Sequence, residues 1–412
     1  MKYGCIGEHL KHSFSKEIHN ALADYEYEIR EIAREDLDAF CIERPFSAIN
    51  VTIPYKELVI PHLYFIDEFA KQIGAVNTVV NRDGRLYGYN TDFYGMTELL
   101  RHAGIRLEEK KVAILGTGGT SKTAVAVARA EGAGEVLRVS RGGREDAITY
   151  DELYAKHTDT DVIINTTPTG MFPNIFDRAI DISRFPDLSG VIDAVYNPLR
   201  TPLISEALRR KIPAEGGLYM LVAQAVRASE IFIDTTYPSD ALDRVFNKIL
   251  HEKENIVLVG MPASGKSTVG AILSRQLGRE FIDTDDMIVE RAGMPITDIF
   301  TKFGEKHFRD LEEECVKDAS ARSSVIIATG GGVPLREENV KALKQNGKLF
   351  FIDRPLESLV PTSSRPLSSD RASIEKRYRE RYHLYCECCD VKIDASCDAD
   401  AVAKKITEEF KK

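Results

Sequence analysis

The chain has no tryptophan, and only seven cysteines scattered among its 412 residues. An odd, dispersed set of thiols does not make a disulfide framework, which excludes small stapled secreted folds and points to reduced thiols. No apolar run reaches the roughly 18 residues that a membrane span needs. Met1-Lys2-Tyr3 leads straight into a strand-like stretch, not a cleavable leader. Basic residues are the minority, 55 Lys and Arg against 64 Asp and Glu, for a formal charge of −9. That deficit argues against nucleic acid and membrane surfaces as partners, although a local cluster of cations can still hold small anions. Repeats and low-complexity tracts are missing as well. What remains is a cytoplasmic enzyme of small molecules with roughly two or three domains, its oligomeric state, monomer or homodimer, left open by the composition.

The most informative motif lies past mid-chain. Gly260-Met-Pro-Ala-Ser-Gly-Lys-Ser267 follows an apolar stretch from Asn255 to Val259. This is a phosphate loop: backbone N–H groups turn around a triphosphate, Lys266 reaches the outer phosphates, and the Ser267 hydroxyl can hold Mg²⁺.

The apolar pattern divides the chain into stretches. Up to residue 95, short strands such as Ala48–Ile53 alternate with helical patterns. From 96 to 216, Val112–Leu115, Val136–Val139, Val162–Asn165 and Val191–Ala194 alternate with helices, which predicts a parallel α/β sheet of Rossmann type. Leu218–Leu250 reads as helix broken at Pro238 and completes the first domain. The charged residues 251–254 read as a linker. Beyond them Ile256–Val259, Val325–Ala328 and Lys348–Ile352 predict a second parallel sheet over 255–412. Cys386 and Cys389 have C-x-x-C spacing, but no second pair completes a metal ligand set, so they read as small buried residues at a helix end.

In the first half, Gly116-Thr-Gly118-Gly119-Thr120-Ser121 joins a strand to the helical run Lys122–Ala130, an arrangement suited to a pyrophosphate. The next strand ends in Ser140-Arg141, with no acid before Glu145. An arginine there suits a ribose 2′-phosphate, so NADP(H) is favoured over NAD. The lesser alternative is an Arg141 that is simply solvated at the surface.

Several separated motifs accompany this turn: Ser13-Phe14-Ser15, Asn50-Val-Thr-Ile-Pro-Tyr-Lys56, Ala75-Val-Asn77, Gly88-Tyr-Asn-Thr-Asp92, Asn165-Thr166-Thr-Pro, Tyr196-Asn-Pro198 and Gly216-Gly217 through Gln224. Through them residues 1–250 resemble shikimate dehydrogenase, with Lys16 where that family usually has proline. The resemblance implies substrate contacts at Ser13, Ser15, Thr52, Asn77, Asp92, Tyr196 and Gln224, with Lys56 and Asp92 as the catalytic pair. It implies NADP contacts at Gly116, Gly118, Gly119, Thr120, Ser140, Arg141, Thr166 and Gly217. A lysine beside a carboxylate suits the reduction of a ring ketone, because it can deliver a proton to the developing alkoxide.

In the second half the discriminating residues follow the phosphate loop: Asp283-Thr-Asp285, Phe308-Arg309, Gly330-Gly331-Gly332, Arg365-Pro-Leu367 and Arg381-Tyr-His-Leu-Tyr385. Their order and spacing resemble shikimate kinase. The resemblance implies ATP contacts at Gly260, Ala263, Ser264, Gly265, Lys266, Ser267, Thr268 and Arg365, and Mg²⁺ ligation by Ser267 supported by Asp283. Asp285 would orient or deprotonate the acceptor hydroxyl, and Gly330, Gly331 and Gly332 would let backbone approach the ring. Arg309 and Arg381 would clamp the substrate carboxylate, since a guanidinium fork matches it in bidentate fashion. Arg365 would stabilise the transferring phosphoryl group. The product of the first site, shikimate made from 3-dehydroshikimate, is then the substrate of the second. A chain with one inactive half, kept as a ligand sensor, is disfavoured by the presence of Lys56, Asp92, Lys266 and Asp285.

Overall fold

The runs Lys111–Leu115, Val162–Asn165 and Gly190–Asp193 are apolar on both faces and buried almost throughout. Such runs suit interior strands of a parallel sheet covered by helices on either side. The computed structural model, which describes residues 1–8, 10, 14–142, 146–359 and 371–411, builds them that way. The chain divides into two compact units, Met1–Leu250 and His251–Lys412.

The first unit holds two sheets. Strands β1 (Tyr3–Gly7), β2 (Tyr27–Glu31), β3 (Ala48–Val51), β4 (Phe65–Ile66), β5 (Thr78–Arg82) and β6 (Arg85–Tyr89) pair in the order β2-β1-β3-β5-β6-β4. β1 runs parallel to β2 and β3, whereas β3, β5 and β6 are antiparallel neighbours. The turn between β5 and β6 is Asp83-Gly84, both left-handed at φ 51° and 77°, the pairing that closes a two-residue hairpin.

The second sheet contains β7 (Lys111–Leu115), β8 (Glu135–Ser140), β9 (Ile148–Thr149), β10 (Val162–Asn165), β11 (Gly190–Asp193) and β12 (Ala214–Glu215), all parallel. Their order is β12-β11-β10-β7-β8-β9. The chain therefore leaves β7 on one side and returns to β10 on the other, which opens a crevice beyond the strand ends. Helix Thr91–His102, capped by Asn90 whose side chain accepts from Phe93 N at 3.2 Å, packs with helix Leu218–Ile233 in a core shared with Phe14, Ile18, Val112 and Ile164.

The second unit is one sheet of β13 (Asn255–Val259), β14 (Phe281–Asp283), β15 (Ile326–Ala328), β16 (Gly347–Asp353) and β17 (Val391–Asp394). All pairs are parallel, in the order β14-β15-β13-β16-β17. A hydrophobic cluster covers each face, one around Val257, Val259 and Phe351, the other around Ile256, Leu258 and Phe350. Helix Ile296–Ser320 kinks at Gly304, whose φ of 81° and ψ of 174° are not helical.

Two expectations need correction. Residues 251–253, expected as linker, belong to helix Ala241–Lys253; its stripe of Ala241, Leu242, Val245, Phe246 and Ile249 is buried and no glycine or proline stops it before β13. Cys386 is exposed and Cys389, just past helix Arg371–Cys388, is half-buried; the buried thiol is Cys388 between them. Two residues turn a helix by about 200°, so Cys386 and Cys388 face opposite ways.

Candidate active sites

In the first unit the strand ends and helix starts converge on a cavity of about 160 Å³. Nine expected residues line it: Ser15, Thr52, Lys56, Asn77, Asp92, Thr120, Tyr196, Gly217 and Gln224. Ser13 lies outside the described residues. Lys56 follows β3 in a turn, and Asp92 sits in the first turn of helix Thr91–His102, where the positive helix end favours a carboxylate. Lys56 Nζ donates to Asp92 Oδ2 at 2.5 Å, with both side chains largely shielded from solvent. An ammonium has three donors, so this contact leaves others for a ligand oxygen.

The other carboxylate oxygen is also fixed. Asn77 Nδ2 donates to Asp92 Oδ1 at 2.9 Å, and Asn77 Oδ1 accepts from Thr91 N at 2.7 Å. Behind Asn77, Asn50 Nδ2 donates to the Asn77 carbonyl at 3.3 Å, and Tyr27 OH donates to Asn50 Oδ1 at 2.7 Å. Tyr27 stacks on His19, 3.9 Å between ring centroids, and burial holds that imidazole down at about 3. Tyr196, edge-on to Phe14, has its phenol pushed up to about 12 by burial, so it stays a neutral hydrogen-bonding group.

The residues expected to hold NADP lie at the C-terminal edge of the second sheet. Gly116, Gly118, Gly119 and Thr120 follow β7, Ser140 and Arg141 end and follow β8, and Thr166 follows β10. These are adjacent strands at the switch point, and Arg138 Nη2 donates to the Thr117 carbonyl at 3.3 Å across them. The loop reaches the Lys56–Asp92 pair: a Cβ on Gly119 would stand 3.9 Å from Lys56 Cδ. Ser140 Oγ is buried without a partner and Arg141 is exposed, groups that fit a phosphorylated ribose. Arg144 and Glu145 lie outside the described residues.

In the second unit the phosphate loop joins β13 to helix Lys266–Leu277. Gly265 caps that helix with φ 95°, a left-handed turn that favours glycine. Lys266 Nζ donates to the Gly260 and Met261 carbonyls, both at 2.8 Å, and Ser264 Oγ is buried without a partner. Both groups suit phosphate oxygens. Ser267 Oγ donates to Asp283 Oδ2 at 2.6 Å, a hydroxyl and carboxylate pair of the hard-oxygen type that Mg²⁺ takes. Asp283 has a second duty, since its Oδ1 accepts from Asp285 N at 3.0 Å and caps helix Thr284–Ala292. Ala263 lies within the loop, Thr268 follows it and is exposed to solvent, and Arg365 lies outside the described residues.

Asp285, Arg309 and Arg381 meet around the turn Gly330-Gly331-Gly332. A Cβ on Gly330 would lie 2.7 Å from Asp285 Oδ1 and 2.9 Å from Glu312 Oε1, and one on Gly332 only 2.0 Å from Arg309 Nη1. A side chain at either glycine would have to displace these charged groups. Arg381 Nη1 and Tyr385 OH both donate to the Gly331 carbonyl, at 3.0 and 2.5 Å. Arg309 and Arg381 are 7 % and 8 % exposed, so neither is a surface helix arginine. Arg381 Nε is buried without a partner, a donor free for a carboxylate. Glu312 is a site residue that sequence reasoning missed: it accepts from Arg309 Nη1 at 2.7 Å, and burial raises its carboxyl while Arg309 opposes the rise. Its signal was the three-residue spacing after Arg309 on one helix. Asn50 and Cys5, which line the first cavity, were missed as well.

Two family models match. The shikimate dehydrogenase substrate binding domain matches residues 5–79, and shikimate kinase matches residues 262–411. A protein named shikimate dehydrogenase (NADP(+)) from Clostridium beijerinckii is 36 % identical over 248 residues, covering 56 % of this chain and 91 % of that one. A shikimate kinase from Thermodesulfovibrio yellowstonii is 40 % identical over 167 residues, 39 % of this chain and 96 % of that one. Among solved structures, shikimate dehydrogenase 1 from Peptoclostridium difficile is similar with a TM-score of 0.56 and 36 % identity, covering 60 % of this chain and 98 % of that one.

Proposed function

Because this chain belongs to the shikimate dehydrogenase family through its first unit and to the shikimate kinase family through its second, we propose that it performs two consecutive reactions of the shikimate pathway. It is an NADP-dependent oxidoreductase that reduces 3-dehydroshikimate to shikimate, and a phosphotransferase that converts shikimate to shikimate 3-phosphate with ATP. NADPH supplies the hydride when bound, and ATP with Mg²⁺ the phosphoryl group.

The single observation that carries the first activity is the Lys56–Asp92 contact of 2.5 Å inside a cavity lined by hydroxyls and amides. Lys56 hands a proton to the ketone oxygen as charge develops there, and Asp92 orients the ammonium and accepts from a ring hydroxyl. Ser15, Thr52, Asn77, Tyr196 and Gln224 hold the other polar groups of the ring acid. In the second unit Asp285 orients the attacking hydroxyl, Arg309 and Arg381 hold the carboxylate, and Lys266 and Ser264 hold phosphate oxygens. Ser267 and Asp283 would hold Mg²⁺.

Residues 1–95, with the helices of 217–250, form the substrate domain of the dehydrogenase, and 96–216 the NADP domain. Residues 255–412 form the kinase. The enzyme acts on small molecules. No helix among the described residues is long and apolar enough to cross a membrane.

Purified chain given 3-dehydroshikimate and NADPH should consume NADPH, and ADP should then appear on adding ATP and Mg²⁺. Binding of these ligands without turnover at either site would overturn the assignment for that site.

A further inference from the structure

Arg354 directly follows β16, the strand paired with β13, whose end opens the phosphate loop. Its side chain reaches over that loop, because a Cβ built on Gly265 would lie 3.5 Å from Arg354 Nη1. The Nε atom is buried and has no hydrogen-bond partner. Among the described residues no carboxylate pairs with this guanidinium. The adjacent Asp353 is engaged elsewhere, accepting from Lys392 Nζ at 2.9 Å and from Tyr382 OH at 3.0 Å.

The guanidinium is positively charged, and burying even part of it without a counter-charge is unfavourable. Here it faces the N-terminus of helix Lys266–Leu277, which is itself the positive end of a dipole and presents backbone N–H groups. Two like-signed features placed together are accounted for by an anion that both contact. The phosphate chain of the nucleotide is such an anion, and a planar guanidinium can bind two of its oxygens at once.

We propose that Arg354 is a nucleotide-binding residue of the second unit, contacting the phosphate chain of bound ATP beside Lys266. The proposal rests on reading that unit as an ATP-using kinase. It extends the phosphate site from the loop to the end of the neighbouring strand, so that three positive features (Lys266, the helix end and Arg354) surround one polyanion.

The test uses the full chain and Arg354→Gln, with Arg354→Lys as the conservative variant. Calorimetric titration with Mg-ATP should show about a tenfold weaker Kd for Arg354→Gln, which is about 1.4 kcal/mol. Adenosine binding, the melting temperature without nucleotide and the KM for shikimate should stay as in the unaltered chain, and Arg354→Lys should recover part of the loss. Parental Mg-ATP affinity in Arg354→Gln, or a loss equal for adenosine and ATP, would overturn the proposal. A second measurement needs no variant: Mg-ATP should protect Arg354 of the unaltered chain from an arginine-specific dicarbonyl, and absence of protection counts against it. Failure of the kinase reading looks different, since the unaltered chain would then bind Mg-ATP without phosphorylating shikimate.

Discussion

Asn77 donates its side-chain N–H to Asp92 Oδ1 at 2.9 Å, on the carboxylate oxygen that Lys56 does not use. The carboxylate is thus held at both oxygens, and its plane is set before a ligand arrives. Lys56→Ala is expected to lower ketone reduction by about 10²–10⁴-fold, the usual cost of losing a placed proton donor. NADPH binding, followed by its fluorescence, should persist. Near-parental turnover would remove Lys56 from that role.

Asp193 is fully buried at the end of β11, and burial pushes its carboxyl from 3.8 up to about 7. Asn165 Nδ2, Val195 N and Thr201 Oγ1 donate to it at 2.9, 3.0 and 2.7 Å and oppose the rise. The folded state therefore holds a proton that the unfolded chain releases. Its contribution to stability is complete below the unfolded pKa near 3.8 and is lost as pH rises to about 7. Asp193→Asn keeps an acceptor for Asn165 and Val195 and turns an N–H toward Thr201. Its melting temperature, minus that of the parent, should climb between those limits; a flat difference would mean Asp193 does not titrate there.

The two duties of Asp283 can be separated. Asp283→Ala removes both the helix cap and the Mg²⁺ support, costing about 1 kcal/mol of stability for the cap alone together with kinase activity. Asp283→Asn keeps a capping oxygen, so the melting temperature should hold while the Mg²⁺ concentration for half-maximal kinase rate rises. Equal loss of stability in both variants would show that the carboxylate charge, not the cap, anchors helix Thr284–Ala292.

Glu312 is 1 % exposed and pairs with Arg309. Glu312→Ala leaves Arg309 with its contact to Glu305 Oε1 at 3.1 Å, so it should destabilise the second unit by less than the roughly 3–5 kcal/mol of a buried charge left wholly unpaired. Glu312→Gln keeps an acceptor and removes the charge. It should raise the KM for shikimate more than it lowers kcat, and leave ketone reduction untouched. An unchanged KM would show that Arg309 needs no help to stay in place.

The candidate site residues were legible because they sit in short contiguous motifs whose backbone demands are local. Lys56 belongs to a seven-residue motif that runs from β3 into a turn, and Lys266 and Ser267 belong to a glycine loop. Their convergence could be anticipated from strand order, since loops after β7 and β10, or after β13 and β14, must share one sheet edge. What stayed hidden depends on packing between distant segments. Asn50 reads as one more strand residue until Tyr27 and Asn77 are seen on either side of it. Glu312 reads as a solvated helix acid until Arg309 is found buried. The helical state of residues 251–253 was masked by their charge, which says nothing about the apolar stripe that precedes them.

The cavity of the first unit takes walls from Cys5 at one end of its sequence and from Gln224 at the other. Synthesis on a ribosome delivers these walls far apart in time, with the whole second sheet emerging in between. The pocket therefore cannot exist on the nascent chain until helix Leu218–Ile233 has left the exit tunnel.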